Sequence, residues 1–185
     1  MTKMMFIRPP FKGMGRYVPP HLGIATLYNY LHGKFDWIEF SLVDALADAL
    51  DEEQIVKAIN YSRPDILAIT IKTMQVKQAK EIIERVKDIY NPLIICGGNH
   101  VSVSPQEFVR CGADYAIVGE GEEAIEKIIQ HEFGHYEESL DDCVNICTKN
   151  NVERSGFEPK VCVHGSDIPA PDWSIFDLTK YNENI

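Results

Sequence analysis

Four short stretches combine residues able to hold a ligand, and each lies where an apolar run ends. The first, residues 8–20, opens as Arg8-Pro9-Pro10 and carries Lys12, Gly13, Gly15 and Arg16, so cations stand among turn-forming residues. It also reads as a plain surface connection. The second is Thr70-Ile71-Lys72-Thr73. A hydroxyl at a strand end either caps the next helix or bonds a ligand; Thr73 suits the cap and Thr70 the ligand. The third is Gly97-Gly98-Asn99-His100-Val101-Ser102. Paired glycines let a flat ligand approach the backbone with no Cβ in the way, although a tight turn uses them too. His100 stands there as a metal ligand, a proton donor or a satisfied surface residue. The fourth is Gly119-Glu120-Gly121-Glu122-Glu123. Glu122 and Glu123 fit the positive end of a helix dipole, and Glu120 is placed to meet backbone amides or a ligand hydroxyl.

Several chemistries are excluded. The first stretch has no Gly-Lys-Ser/Thr ending and is no P-loop, and no G-x-G-x-x-G follows the first apolar run. Cys143 and Cys147 have the CxxxC spacing without a third cysteine at Asn150, so they cannot ligate a cubane cluster alone. No second cysteine pair supports zinc, and there is no Gly-x-Ser-x-Gly elbow. Asp44 and Asp65 imitate a phospho-acceptor site only weakly, because the first run ends in Arg-Pro-Pro rather than in an acidic Mg²⁺ cluster. No catalytic residue and no metal ligand is assigned.

The elements that must position these stretches alternate. Met4-Met5-Phe6-Ile7, residues 37–43, Ile66-Leu67-Ala68-Ile69, Leu93-Ile94-Ile95-Cys96 and Tyr115-Ala116-Ile117-Val118 read as strands. The third and fourth are near-continuously apolar, as strands covered on both faces are. Helical patterns follow them: residues 20–32, a helix opened by the capping box Asp51/Gln54, residues 77–90, a helix after Ser104-Pro105, and residues 121–130. Five β-then-α units predict an α/β, flavodoxin/Rossmann-like three-layer sandwich with a five-stranded parallel sheet of order 2-1-3-4-5. Ligands of such sheets bind at the strands' carboxyl ends, where the four stretches lie. Beyond residue 131, residues 143–147 read as a strand, Lys149-Asn150-Asn151 as a turn, and Val152 onward as the returning strand of a C-terminal β-hairpin. An extended tail through Pro169 to one short helical turn follows.

The chain has 185 residues and a net charge of −10. That acidity disfavours nucleic acid and anionic membrane as partners, and no apolar run reaches the length of a membrane span. Five cysteines at irregular spacing read as reduced thiols of a cytoplasmic protein.

Taken together, Gly97-Gly98-Asn99-His100-Val101-Ser102-Val103-Ser104-Pro105-Gln106-Glu107-Phe108 and the later Gly112-Ala113-Asp114-Tyr115-Ala116-Ile117-Val118-Gly119-Glu120-Gly121-Glu122 resemble the amino-terminal cobalamin-binding domain of B12-dependent radical SAM enzymes. That group includes methyltransferases and the anaerobic Mg-protoporphyrin IX monomethyl ester cyclase. Arg8-Pro9-Pro10 and Pro20-His21-Leu22-Gly23 are similar to the family's opening, and Ile168-Pro169-Ala170-Pro171-Asp172-Trp173 to its connector before the radical SAM barrel.

The resemblance implies a cobalamin-binding domain over residues 1–131, with 132–185 as hairpin and connector toward a barrel beyond this chain. It implies cobalamin as cofactor, held by Arg8, Pro9, Pro10, Gly13, Thr70, Ile71, Lys72, Gly97, Gly98, Asn99, His100, Gly119, Glu120 and Gly121. Other B12 domains carry D-x-H-x-x-G after strand one; here Arg8 and Pro10 stand at the Asp and His positions. The expectation is therefore a corrinoid without a protein histidine on cobalt, its nucleotide tail extended into the sheet edge, for methyl transfer or related radical chemistry. The [4Fe–4S] cluster and S-adenosylmethionine are expected only in the barrel, so these residues are not catalytic alone. Two alternatives stay open: a cofactor-free interaction or scaffold domain of the same class, and a flavodoxin-like binder of another small ligand.

Overall fold

The strands are built from branched and aromatic residues that alternate between two helical layers. In the computed structural model, which describes residues 1–11, 18–134, 138–159 and 168–182, six strands form one sheet of order β2-β1-β3-β4-β5-β6. They are β1 (Thr2–Arg8), β2 (Ile38–Asp44), β3 (Ile66–Thr70), β4 (Leu93–Gly97), β5 (Tyr115–Ile117) and β6 (Ile146–Thr148). The first five are parallel and follow the expected order.

Side-chain parity decides which face each residue serves. Met4, Phe6, Ile66, Ala68, Ile95 and Ile117 point to the layer containing α1 (Leu22–His32) and α5 (Glu122–Phe133). Met5, Ile7, Leu67, Ile69, Ile94 and Cys96 point to α2 (Glu52–Ser62), α3 (Val76–Ile89) and α4 (Pro105–Arg110). Both faces are covered, as a parallel sheet requires. The Asp51 capping box of α2 forms as expected, with Gln54 returning the bond.

The sixth strand is the main departure. Residues 146–148 do not lead a separate hairpin: β6 pairs antiparallel with β5, and residues 152–159 hold no strand. Cys143 caps a 3₁₀ turn instead of starting the strand, while the Asn145 carbonyl accepts from the Val118 amide. β6 thereby covers the hydrogen-bonding edge that β5 would otherwise expose. Leu140, Ile146, Phe176 and Tyr181 join the same core as α1 and α5. The short helix α6 (Thr179–Asn182) closes the described chain. Among the described residues no helix is long and apolar enough to cross a membrane.

Candidate functional site

The sheet reverses direction at β1, whose neighbours are β2 and β3, and a cavity of about 250 Å³ opens at the carboxyl ends beside that switch. Its sheet-side wall is Phe6, Ala68, Ile95 and Ile117; Ile24 and Leu27 of α1 and Ile125 of α5 form the opposite wall. Ala68 is the reason the space exists. It pairs with Phe6 on one side and Ile95 on the other, in a strand whose other apolar positions are Ile or Leu.

The rim comes from the loops after β3, β4 and β5. Thr70, Gly97, Gly98, Asn99, Gly119, Glu120 and Gly121 all line the cavity. Gly97 shares the parity of Ile95, and a Cβ built there meets nothing within 4 Å. Gly98 has φ +102°, and its Cβ would lie 2.8 Å from the Ile71 nitrogen and 2.9 Å from the Ile71 oxygen. The first glycine leaves room and the second lets two loops touch.

Hydrogen bonds tie the rim together. The Ile71 amide donates to the Gly97 carbonyl at 2.8 Å, and the His100 amide to the Ile71 carbonyl at 3.1 Å. Ser102 donates through its amide (3.0 Å) and hydroxyl (3.2 Å) to the Gly98 carbonyl. The Gly119 amide donates to Ser102 Oγ at 3.0 Å, which joins the β4 and β5 loops.

The other expected residues lie elsewhere. Ile71 has the opposite parity to Thr70 and is buried among α2, α3 and α4. Lys72 is exposed, and its amide donates to Gln75 Oε1. The His100 ring is turned to Glu107 (3.2 Å) and Thr73 (3.3 Å) and does not line the cavity. The Pro9 carbonyl accepts from Gln75 Nε2 at 2.6 Å, Pro10 follows it at the loop start, and Gly13 lies outside the described residues.

Arg8 belongs to a buried latch beside the cavity. Its Nη1 donates to Asp44 Oδ2 at 3.0 Å and to the Pro19 carbonyl at 2.9 Å, with both ion-pair side chains 3% exposed. Tyr181 Oη donates to the same Asp44 oxygen at 2.7 Å. The Leu46 and Ala47 amides occupy Asp44 Oδ1, so this carboxylate is saturated and no phospho-acceptor.

Two polar residues of the cavity, His21 and Glu122, stand outside the ligand set that the sequence resemblance implies. His21 caps α1, Nδ1 accepting from the Ile24 amide at 3.3 Å. Burial first, then the charges of Arg8 and Lys72, bring its pKa from 6.5 down to about 4, against the pull of Asp44. The ring is thus neutral near pH 7, with its proton on Nε2. Glu122 opens α5, and burial, reinforced by Glu120, raises its carboxyl above the ordinary range, against the amides of Glu122 and Gly121. His21 carries a legible signal in Pro20-His21-Leu22-Gly23, whereas Glu122 reads as an ordinary helix-start acid.

Comparison with known proteins agrees with this geometry. The family model described as the B12 binding domain matches residues 15–129. An uncharacterized methyltransferase of Pyrococcus horikoshii is 28% identical over 98% of this chain, which spans 40% of that protein. The anaerobic magnesium-protoporphyrin IX monomethyl ester cyclase of Cereibacter sphaeroides is 22% identical over 97% of the chain, which spans 30% of it. The solved cobalamin-dependent S-adenosylmethionine radical enzyme OxsB with aqua-cobalamin bound superposes with TM-score 0.81 at 20% identity, over 99% of this chain and 25% of that one. The radical S-adenosylmethionine methyltransferase TsrM of Kitasatospora setae gives TM-score 0.62 at 15% identity, over 80% and 28%. At these identities the two structures establish the shared fold.

Proposed function

Because the chain belongs to the B12 binding domain family, we propose that its cavity takes the nucleotide arm of cobalamin while the corrin ring lies across the carboxyl-edge loops. The carrying observation is the gap over Ala68 and Gly97, apolar on both walls and floored by backbone. Size supports the division of labour. Sites that engulf a drug-sized ligand run to about 300–1,000 Å³, and about 250 Å³ suits a bicyclic base but not a macrocycle. Thr70, Gly97, Gly98, Asn99, Gly119, Glu120 and Gly121 are the contacts this reading keeps. Arg8, Pro9 and Pro10 act behind it, by fixing the end of β1. Gly13 keeps its place in the proposal on the sequence resemblance alone.

Bound cobalamin would supply a cobalt centre able to carry a methyl group; the residues' share is to bind the arm, orient the ring and exclude water. No histidine of the protein is proposed on cobalt. On the sequence resemblance Pro10 takes the place of the histidine of other B12 domains, while His100 faces Glu107 and Thr73, and His21 caps α1. Residues 1–131 would then hold the cofactor, and 132–185 would cover the sheet while leading to a radical SAM domain. The cluster and S-adenosylmethionine would be held there, for methyl transfer or related radical chemistry. Cys96, Cys111, Cys143 and Cys147 are all unpaired, which supports a cytoplasmic setting.

Titration with hydroxocobalamin in imidazole-free buffer, followed by gel filtration, tests this. Corrinoid absorbance is expected to travel with the wild-type protein. An Ala68→Leu variant, which fills the gap between Phe6 and Ile95, is expected to fold and elute colourless. A colourless wild type would overturn the cofactor reading in favour of an interaction domain. A histidine-ligated spectrum, lost in His21→Gln, would overturn the ligation.

A further inference from the structure

The mouth of the cavity is electrically lopsided. Glu120 and Glu122 line it where α5 begins, whereas the ring of His21 lines it at the start of α1, within the field of Arg8 and Lys72. Arg8 is already held by Asp44 and the Pro19 carbonyl. Lys72 is exposed and makes no ion pair among the described residues. We propose that His21 donates from Nε2–H to the phosphodiester of the corrinoid's nucleotide arm, with the Lys72 ammonium supplying charge beside it, so that the arm enters the cavity with its phosphate at the α1 end. This rests on the cobalamin reading of the cavity and adds to it the residue that holds the phosphate and the direction in which the arm runs.

The geometry of the ring singles out Nε2. Nδ1 faces the helix: the Ile24 amide is shared between it (3.3 Å) and the His21 carbonyl (3.1 Å). A Cβ at Gly23 would lie 3.3 Å from Cε1 and 3.5 Å from Nδ1, so this edge of the ring rests on the first turn of α1. No hydrogen bond among the described residues reaches Nε2, and it is not one of the enclosed polar atoms left without a partner. It is therefore accessible, on a residue that lines the cavity. With Nδ1 accepting, the proton of the neutral ring sits on Nε2 and makes it a donor. A pKa of about 4, set by burial first and then by Arg8 and Lys72 against the pull of Asp44, keeps the ring neutral near pH 7. A neutral N–H beside cations favours an anionic acceptor, because charge-assisted bonds are the stronger ones. The amides around a corrin ring are neutral, and the phosphodiester is the anion of its nucleotide arm. That anion gains nothing from side chains at the α5 end, where the acids stand.

Hydroxocobalamin, cobinamide phosphate and cobinamide separate the parts of the arm: the first carries phosphate and base, the second phosphate alone, the third neither. His21→Asn keeps a capping side chain but has no N–H at the position of Nε2. It is expected to lose about tenfold for both phosphate-bearing ligands and nothing for cobinamide. Lys72→Gln is expected to lose about threefold for the same two ligands, a loss that high salt removes. Ring-proton NMR of the wild type reads the contact itself. With either phosphate-bearing ligand bound, His21 is expected to titrate above its apo value, and with cobinamide it is not. Apo melting curves confirm that each variant is folded. Should His21→Asn not fold, the ring titration decides alone. Unchanged affinities in folded His21→Asn, an equal loss on all three ligands, a loss confined to hydroxocobalamin, or a ring that titrates as in the apo protein overturns the inference and leaves the cofactor reading standing. A wild type that binds none of the three overturns the cofactor reading itself.

Discussion

Gly97 and Gly98 adjoin in sequence but serve different ends, and exchanging each for alanine separates the fold from the site. A methyl group at Gly98 would lie 2.8 and 2.9 Å from the Ile71 backbone, on a residue with φ +102°. The left-handed region costs an L side chain about 1–2 kcal/mol, and the clash must be relieved by moving backbone, for a total of about 2–4 kcal/mol. A chain of this size loses about 2–4 °C of melting temperature per kcal/mol. Gly98→Ala is therefore expected to melt roughly 4–16 °C lower. At Gly97 the same methyl meets nothing within 4 Å, and no left-handed φ is required. The unfolded chain loses freedom, so Gly97→Ala is expected to gain about 0.4–1 kcal/mol. Its methyl enters the cavity on the face of Ile95, where crowding a bound base costs about 1–3 kcal/mol, or roughly 5- to 150-fold in affinity. Calorimetry of the apo protein and hydroxocobalamin titration read the two effects. Wild-type affinity in Gly97→Ala would refute the placement of the base, and an unshifted melt in Gly98→Ala would refute the loop contact.

The latch and the cap supply two further expectations. Asp44→Ala strands Arg8 as a buried charge, at about 3–5 kcal/mol, so the melt should drop roughly 6–20 °C; Tyr181→Phe removes one bond to a charged acceptor and should cost about 1.5–3 kcal/mol. Equal melts for wild type and Asp44→Ala would deny the latch its role. His21 has a folded pKa of about 4 against 6.5, so the unfolded chain binds more protons between those values. Stability should accordingly be lost as pH falls from 6.5 through 4, by up to about 3 kcal/mol. Glu122, shifted upward, acts in the opposite sense and weakens that acid limb. His21→Asn keeps a capping side chain without the titration, so its melting temperature should vary less over the same interval.

The parallel sheet was legible because its signals are local. Period-2 runs, the Asp51 box and Pro105 each announce an element within a few residues. β6 is not legible for the converse reason: residues 146–148 take their partner from residues 115–117, and nothing near Val152 reveals it. The site divides the same way. Gly97, Gly98, Gly119 and Gly121 stand out as residues that only a loop with special demands would collect. The cavity walls do not, since Phe6, Ile95 and Ile117 carry the same apolar signature as any buried strand. Arg8 looked like a ligand cation because its partners lie 36 and 11 residues away, and Tyr181, which completes the latch, is 137 residues from Asp44.

That latch explains how a chain can keep an open gap at the edge of its core. A cavity forfeits packing contacts, so the elements around it need another restraint. Here α1 is held at its start by His21, and the residues just before it are tied to the end of β1 through the Pro19 carbonyl and Arg8. Asp44 joins that tie to β2, and Tyr181 joins it to the last described turn of the chain. On the other side, Ser102 binds the β4 loop to the β5 loop that starts α5. The two helices that together wall the gap opposite the sheet are therefore anchored at its rim by polar contacts rather than by filling it. Adding apolar volume at Ala68 would satisfy the core and remove the space, which is why a small residue in the middle of β3 says more about this domain's function than any charged residue on its surface.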